Sequence, residues 1–397
     1  MRVIVRSIFD RIRFLVRTRS ALWIAFVGLV LALLPYVPRW PKWASLLIGL
    51  AGLALAAWSM FWEAWVQARV SRDYRLVERN PVFQVLPKVA SPTSQVIETT
   101  RGHMVHDPVV DARLSGGWTA RWDPRKYELP EKLREVAPYV LDKTTSGHWN
   151  FNGLCVRLSS DLNGSSSQDV WFQPASFFDH LCSNELMRWE VAPKGESWDI
   201  RHEFFLDRED QLNSVSNSRL ANIVGCSTLA ITTDDKVLVV GQTTGNHSSG
   251  GLLAPSGSGS LEPKDVHDGW GLEEVVLNGA VRELVEETGL DLTQVAGSRL
   301  TMFGRWLEKG GKPEFFCITA LTVDARTADV HRRATKSEEK LYVADVEWLD
   351  LAGINQHEAV ATRSSLPLTA ALAALDQALA AEPGLLDKLR ASRNPVM

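Results

Sequence analysis

Two uninterrupted apolar runs near the N-terminus constrain this chain more than any other feature. Ala21 to Pro38 (ALWIAFVGLVLALLPYVP) and Trp43 to Trp62 (WASLLIGLAGLALAAWSMFW) contain no charged residue. A helix needs about 20 apolar residues to cross the hydrocarbon core of a bilayer. Only Arg39-Trp-Pro-Lys42 separates the runs, and Pro38 and Pro41 favour a turn there. The spacing predicts a two-helix transmembrane hairpin over residues 21–66. A buried core hairpin or a cleaved signal peptide would display the same first run. A signal peptide, however, has one apolar core followed by a polar chain, and here a second full-length run follows at once.

Charge sets the expected orientation. Arg2, Arg6, Arg11, Arg13, Arg17 and Arg19 precede the first run against a single acid, Asp10, whereas the turn holds only Arg39 and Lys42. The positive-inside rule then places both termini in the cytosol, with a bacterial inner membrane as the default location. Trp23, Trp40, Trp43, Trp58, Trp62 and Trp65 stand near the run ends, where interfacial anchors belong. Residues 1–20 form a basic leader. Val5, Ile8, Phe9, Ile12, Leu15 and Val16 recur at helical spacing beside the arginines, which fits either an interfacial helix held by membrane lipid or a frayed leader that only sets topology. Small residues in the second run (Gly49, Gly52, Ala56) would permit close helix packing, as in a homo-oligomer.

Composition bounds the remainder. The 397 residues leave room for two or three domains. A net charge of −4, with no basic tract interleaved with aromatics, gives no sign of a nucleic-acid partner. Cys155, Cys182, Cys226 and Cys317 form no CxxC pair and read as buried or free thiols. Residues 67–219 read as a middle domain of unknown fold and role. His103, His106 and Asp107 could be half of a metal site, but with no third ligand in view a surface turn is the simpler reading. Phe177-Phe-Asp-His180 reads as a helix packing its aromatics.

A new pattern begins near Asn222. Ser227–Thr233 and Lys236–Val240 read as a β-hairpin around Asp234-Asp235. A Gly/Ser-rich loop (243–260) follows, then a helix from Leu272 to Thr288 stopped by Gly289. Leu300–Leu307 and Glu314–Val323 flank a turn at Lys309-Gly-Gly-Lys312, Val343–Leu349 is a last strand, and Thr369–Ala381 is a helix. The order β–β–loop–α–β–β–β–α implies a mixed α/β layer fold over 220–350, followed by a helical segment at 351–397.

The chemistry concentrates in Arg282-Glu-Leu-Val-Glu-Glu-Thr-Gly-Leu290. On a helix, Glu283 shares a face with Glu286 and Glu287. Crowded carboxylates repel unless a hard cation neutralises them, and an oxygen-only set points to Mg²⁺ or Mn²⁺.

This segment resembles the second half of the Nudix box, with Arg282, Glu283, Leu284, Glu286, Glu287, Gly289 and Leu290 at every specified place. Glu274, eight positions before Arg282, fits the box's earlier Glu. The opening Gly should be residue 268, which is Asp; Gly269 is one place off. Pro255-Ser-Gly-Ser-Gly259 is the best substitute and requires a nine-residue insertion.

The resemblance implies a Nudix-like α/β/α sandwich with a mixed sheet. It also implies Mg²⁺- or Mn²⁺-dependent hydrolysis of a pyrophosphate bond in a nucleoside diphosphate linked to another moiety. By the same resemblance, Glu283, Glu286 and Glu287 bind metal, Glu286 and Glu287 are catalytic, and Arg282, Glu274 and Gly289 support the box. Glu287, or Glu338-Glu339 in a later loop, supplies the general base. Lys264, Arg305 and Lys312 are candidate phosphate contacts, each weighed against an ordinary surface charge. The alternative function is a membrane effector whose Nudix domain senses a nucleotide without turnover.

Overall fold

The computed structural model describes residues 2–18, 20–33, 41–78, 86–89, 91–144, 151–162, 168–197, 200–244, 250–328, 330 and 343–392. The chain begins with α1 (Arg2–Thr18), α2 (Ser20–Leu33), α3 (Lys42–Asp73), β1 (Tyr74–Glu78), β2 (Gln95–Thr99), β3 (Gly102–His106) and α4 (Pro108–Asp111). It continues through β4 (Thr119–Trp122), α5 (Glu131–Thr144), β5 (Leu154–Leu158), β6 (Asp169–Ser176), α6 (Phe177–Leu181), β7 (Trp189–Pro193) and α7 (Ile200–Phe204). Next come β8 (Gly225–Ile231), β9 (Lys236–Gln242), β10 (Leu253–Ala254), β11 (Gly257–Ser260) and α8 (Leu272–Thr288). The last elements are β12 (Val295–Trp306), β13 (Lys312–Leu321), β14 (Val343–Asp350), α9 (Glu358–Arg363), α10 (Leu366–Ala381) and α11 (Leu385–Ser392).

The chain forms two compact units, and residues 67–219 contribute to both. The first unit comprises 1–79, 128–153 and 177–203. Its helices α2 and α3 run antiparallel at very close range. A Cβ added to Gly28 would lie 2.7 Å from the Gly52 carbonyl oxygen and 2.8 Å from the Ala56 nitrogen; one added to Gly52 would lie 2.5 Å from both the Ala32 nitrogen and the Gly28 carbonyl oxygen. Gly52 is buried between the helices, while Trp23, Phe26, Leu29, Leu46, Leu50 and Phe61 face outward. Small residues are inside and large apolar ones outside, the reverse of a water-soluble hairpin.

Of the expected pair of spans, the described residues show one. Among the described residues only Lys42–Asp73 is long and apolar enough to cross a membrane. The described part of the first run, Ser20–Leu33, has 14 residues and rises about 21 Å at 1.5 Å per residue, less than the roughly 30 Å core. Residues 34–40 of that run lie outside the described residues. Elsewhere in this unit β1 pairs antiparallel with β7. Helix α6 buries Phe178 against Phe14 of α1, edge to face at 5.5 Å, in keeping with the aromatic-packing reading of Phe177–His180.

The second unit comprises 80–127, 154–176 and 204–397. Its principal sheet runs β10-β9-β8-β13-β12-β3-β2, with β11 on β8 and β14 on β9. The β8–β13 pair is parallel and its neighbours are antiparallel, so the sheet is mixed. One face packs on α8 through Val275, Val276 and Ala280 against Cys226, Phe315 and Cys317. The other packs on α10 through Leu368, Leu372 and Leu375 against Leu229, Met302 and Phe316. The result is the expected α/β/α layering.

Helix α8 ends at Gly289 with φ +72, a left-handed conformation cheap only for glycine. Two strands of this sheet, β2 and β3, come from upstream of residue 220, and a smaller sheet, β4-β6-β5, joins the same unit.

Candidate active site

Strand β11 sets the geometry around α8. It pairs with β8, Ser258 opposite Ser227 and Gly259 opposite Cys226, and it passes directly beneath the helix. A Cβ on Gly257 would come within 2.4 Å of the Leu284 nitrogen; one on Gly259 would fall 2.2 Å from the Glu283 carboxyl carbon. At Gly257 the obstacle is backbone, so only a residue without a side chain fits there; at Gly259 it is the movable end of the Glu283 side chain. The substitute glycines of Pro255–Gly259 therefore lie against the box helix. Asp268 does not; its carboxylate accepts the Trp122 N–H at 2.9 Å in the loop before α8. Nothing lies within 4 Å of a Cβ built on Gly269.

Arg282 ties this strand, the following loop and the helix together. Its Nε donates to Asp265 Oδ1 at 2.9 Å and its Nη2 to Asp265 Oδ2 at 2.8 Å and to the Ser260 carbonyl at 2.9 Å. Its Nη1 reaches Glu283 Oε1 at 2.8 Å and Glu286 Oε2 at 3.4 Å. Burial alone would lower the guanidinium pKa, but Asp265 and Glu283 override it and hold it above its ordinary value. Paired N–H donors facing one carboxylate are among the stronger charge-assisted contacts in proteins. Asp265 is 2% exposed and also accepts the Glu262 N–H at 2.8 Å, which fixes its orientation.

The three glutamates occupy one end of α8. Glu283 and Glu287 are 8% and 3% exposed, and Glu287 accepts the Ser258 N–H at 2.9 Å. Glu286 is half-buried, with Lys264 Nζ 3.8 Å away. The expected metal centre is not preassembled. Among the described residues no group of three or more His, Cys, Asp or Glu side chains is arranged to hold an ion. The reason is local, since Glu283 and Glu286 turn towards Arg282 while Glu287 turns towards the β11 backbone. The donors still have the right chemistry for a hard divalent cation, and the missing side chain at Gly259 brings backbone beside the Glu283 carboxylate.

Several other sequence candidates sit elsewhere. Glu274 is exposed in the first turn of α8; the carboxylate that Arg282 grips is Asp265. Lys264 is close to the site through Glu262, at 2.9 Å, and Glu286. Arg305 is instead structural, donating to the Asn213 carbonyl at 2.7 Å and the Gly311 carbonyl at 3.1 Å, and burial pushes its pKa down to about 10. Lys312 is buried and paired with Glu314. Glu338-Glu339 lies outside the described residues.

His103 and His106 are not on a surface turn. Both are buried in β3, bonded through Nδ1 to Glu308 at 2.7 Å and to Asp111 at 2.8 Å respectively. All four cysteines are free and buried, and burial raises the Cys182, Cys226 and Cys317 thiol pKa values. Sequence reasoning missed Asp265 and Ser258. Glu262 and Asp265 form a reciprocal capping box, a spacing that marks a helical turn but not its long-range partner.

No family model matches the chain, and no curated protein matches it in sequence. Solved structures that resemble part of it include DR0079 from Deinococcus radiodurans, at 11% identity and TM-score 0.28, covering 43% of this chain and 96% of that one. A MutT protein from Methanosarcina mazei Go1 shares 14% identity at TM-score 0.25, covering 39% and 94%. The Nudix hydrolase RenU from M. smegmatis shares 15% identity at TM-score 0.27, covering 40% and 86%. Likenesses this low establish neither family nor activity, so the functional reading depends on the residues themselves.

Proposed function

We propose that the chain is a membrane-anchored hydrolase of the Nudix type, cleaving a pyrophosphate bond in a nucleotide-like substrate at the Arg282–Glu287 end of α8. The observation that supports this most is the fit of two side-chain-free positions, Gly257 and Gly259, under a helix turn carrying Glu283, Glu286 and Glu287. That acid-rich turn lies where backbone can approach it closely. Glu283, Glu286 and Glu287 would hold Mg²⁺ or Mn²⁺, which when bound neutralises phosphate charge and makes water a stronger nucleophile.

The chain's own residues do the positioning. Asp265 and the Ser260 carbonyl lock Arg282, and Arg282 orients Glu283 and Glu286. The Ser258 N–H fixes one oxygen of Glu287. Glu287 is the candidate base, and Lys264, 3.8 Å from Glu286, is the candidate cation for a phosphate.

The anchor is the α2–α3 hairpin, in which α3 is long and apolar enough to cross a membrane. Its apolar exterior and buried glycine contact support that reading. The Gly28–Gly52 contact also weighs against the effector alternative, because the small-residue stripe that could join copies is used within the hairpin. The test is hydrolysis by the full-length protein in vesicles against a panel of nucleoside-diphosphate compounds with Mg²⁺ or Mn²⁺. Activity that Glu286→Gln cuts by orders of magnitude is the expected result. Nucleotide binding without product from the wild type would overturn the hydrolase reading.

A further inference from the structure

Helix α1 carries two opposed faces, one packed on protein and one with exposed apolar side chains. On the first, Phe14 is 1% exposed and packs on Phe178, Arg11 Nη2 bonds Asp142 at 3.0 Å, Arg17 pairs with Asp179, and Asp10 accepts the Asn152 N–H at 3.0 Å. All of these partners belong to the first unit. At 100° per residue, the opposite side of the helix holds Val5, Ile8, Phe9 and Ile12. These four are 61%, 52%, 62% and 54% exposed. Arg6 and Arg13, both exposed, stand beside that apolar row, Arg6 with its guanidinium carbon 5.1 Å from the centre of the Phe151 ring.

We propose that this row is an interfacial membrane-binding face, seated in the headgroup region of an anionic bilayer. The inference rests on the hairpin reading above and deepens it. Three observations single out lipid as the occupant. First, α1 is followed in sequence by α2 after a single intervening residue, Arg19, so the row is tethered to a helix whose large apolar side chains are exposed. Second, the contacts of Gly28 with Gly52 and Ala56 set the hairpin register and put Trp23 near the same end as Trp58 and Trp62. Aromatic residues of this kind mark the level of a membrane interface, and α1 emerges there. Third, arginines flanking an apolar helical face are what anionic headgroups attract. With its other face bolted to α6, α1 would hold the water-facing part of the first unit flat against the bilayer.

The test uses full-length protein carrying an environment-sensitive fluorophore on Ile8→Cys, reconstituted in neutral phosphatidylcholine vesicles or in vesicles containing phosphatidylglycerol. The native cysteines are buried, and unlabelled wild type controls for their reaction. A Leu50→Cys label reports hairpin insertion separately. The expected result is a blue-shifted position-8 signal quenched by shallow spin-labelled lipid, more strongly with phosphatidylglycerol. Arg6→Glu combined with Arg13→Glu should lose that preference. A water-like signal at position 8 with Leu50→Cys buried overturns the proposal and leaves the hairpin standing. Exposure at both positions overturns both. Shielding at position 8 that follows protein density and ignores lipid charge assigns the face to a second copy and overturns the lipid reading.

Discussion

Arg282 grips Asp265 with two nitrogens, at 2.9 Å and 2.8 Å, across seventeen residues of chain. The helix is thereby attached to the loop that precedes it by a pair excluded from water. Removing the Asp265 charge takes away the two-point partner of Arg282, which keeps Glu283 and Glu286. The cost should fall at or below the about 3–5 kcal/mol typical of breaking a buried pair. Asp265→Asn should therefore lower the melting temperature of the protein clearly. Glu274→Gln, at an exposed site, should stay within about 0.5 kcal/mol of wild type. Equal effects from the two changes, measured by thermal or denaturant unfolding, would show that Asp265 is not the anchor.

The two glycines of β11 make separable predictions. At Gly257 an added methyl meets the backbone of Leu284, 2.4 Å away, which cannot step aside without moving the helix. Gly257→Ala should destabilise the fold by about 1–3 kcal/mol, as overpacking does. At Gly259 the obstacle is the Glu283 carboxylate, the end of a side chain. Gly259→Ala should fold nearly as well but hydrolyse substrate many times more slowly, with a weakened response to Mg²⁺. Unfolding curves and metal titrations of activity on both variants check the contrast.

Legibility of the sequence followed the range of the interactions. Helix α8 was expected at Leu272–Thr288 and lies there, because an amphipathic repeat and a terminal glycine are local signals. The β8–β9 hairpin and the Gly310-Gly311 turn were visible for the same reason. The membership of β2 and β3 in the principal sheet was not. They lie well over a hundred residues before β12, and nothing local encodes which strand will be a neighbour. Gly257 and Gly259 lie under α8 away from position 268, where the box's spacing expects its glycine, and Asp265 was not legible because its partner Arg282 is seventeen residues away. His103 and His106 looked like turn residues because their carboxylate partners, Glu308 and Asp111, are invisible to local pattern.

The hairpin contact predicts an inside-out mutational profile. Gly52→Leu places a large side chain where backbone atoms of α2 stand 2.5 Å from the added Cβ. It should separate the two helices and lower the unfolding temperature of the detergent-solubilised full-length protein. Leu53→Ala, at an outward position 55% exposed, should have little effect although it removes far more apolar surface. The opposite ranking would indicate an ordinary water-soluble core.

Burial makes one carboxylate a pH reporter. Glu273 accepts the Leu300 N–H at 3.1 Å, and burial raises its pKa above the ordinary 4.5, with the Leu300 bond and Arg299 opposing. A raised folded-state pKa means the fold tolerates the protonated acid better than the anion. Its favourable contribution is complete below about pH 4.5 and is lost as pH rises through the folded value. Glu273→Gln keeps the accepting oxygen and removes the charge. It should raise the melting temperature at pH 7.5, and the gain should shrink towards zero as pH falls below the glutamate range. A gain that persists unchanged at acid pH would have to come from packing, and a loss at neutral pH would mean that the charge strengthens the Leu300 bond by more than its burial costs.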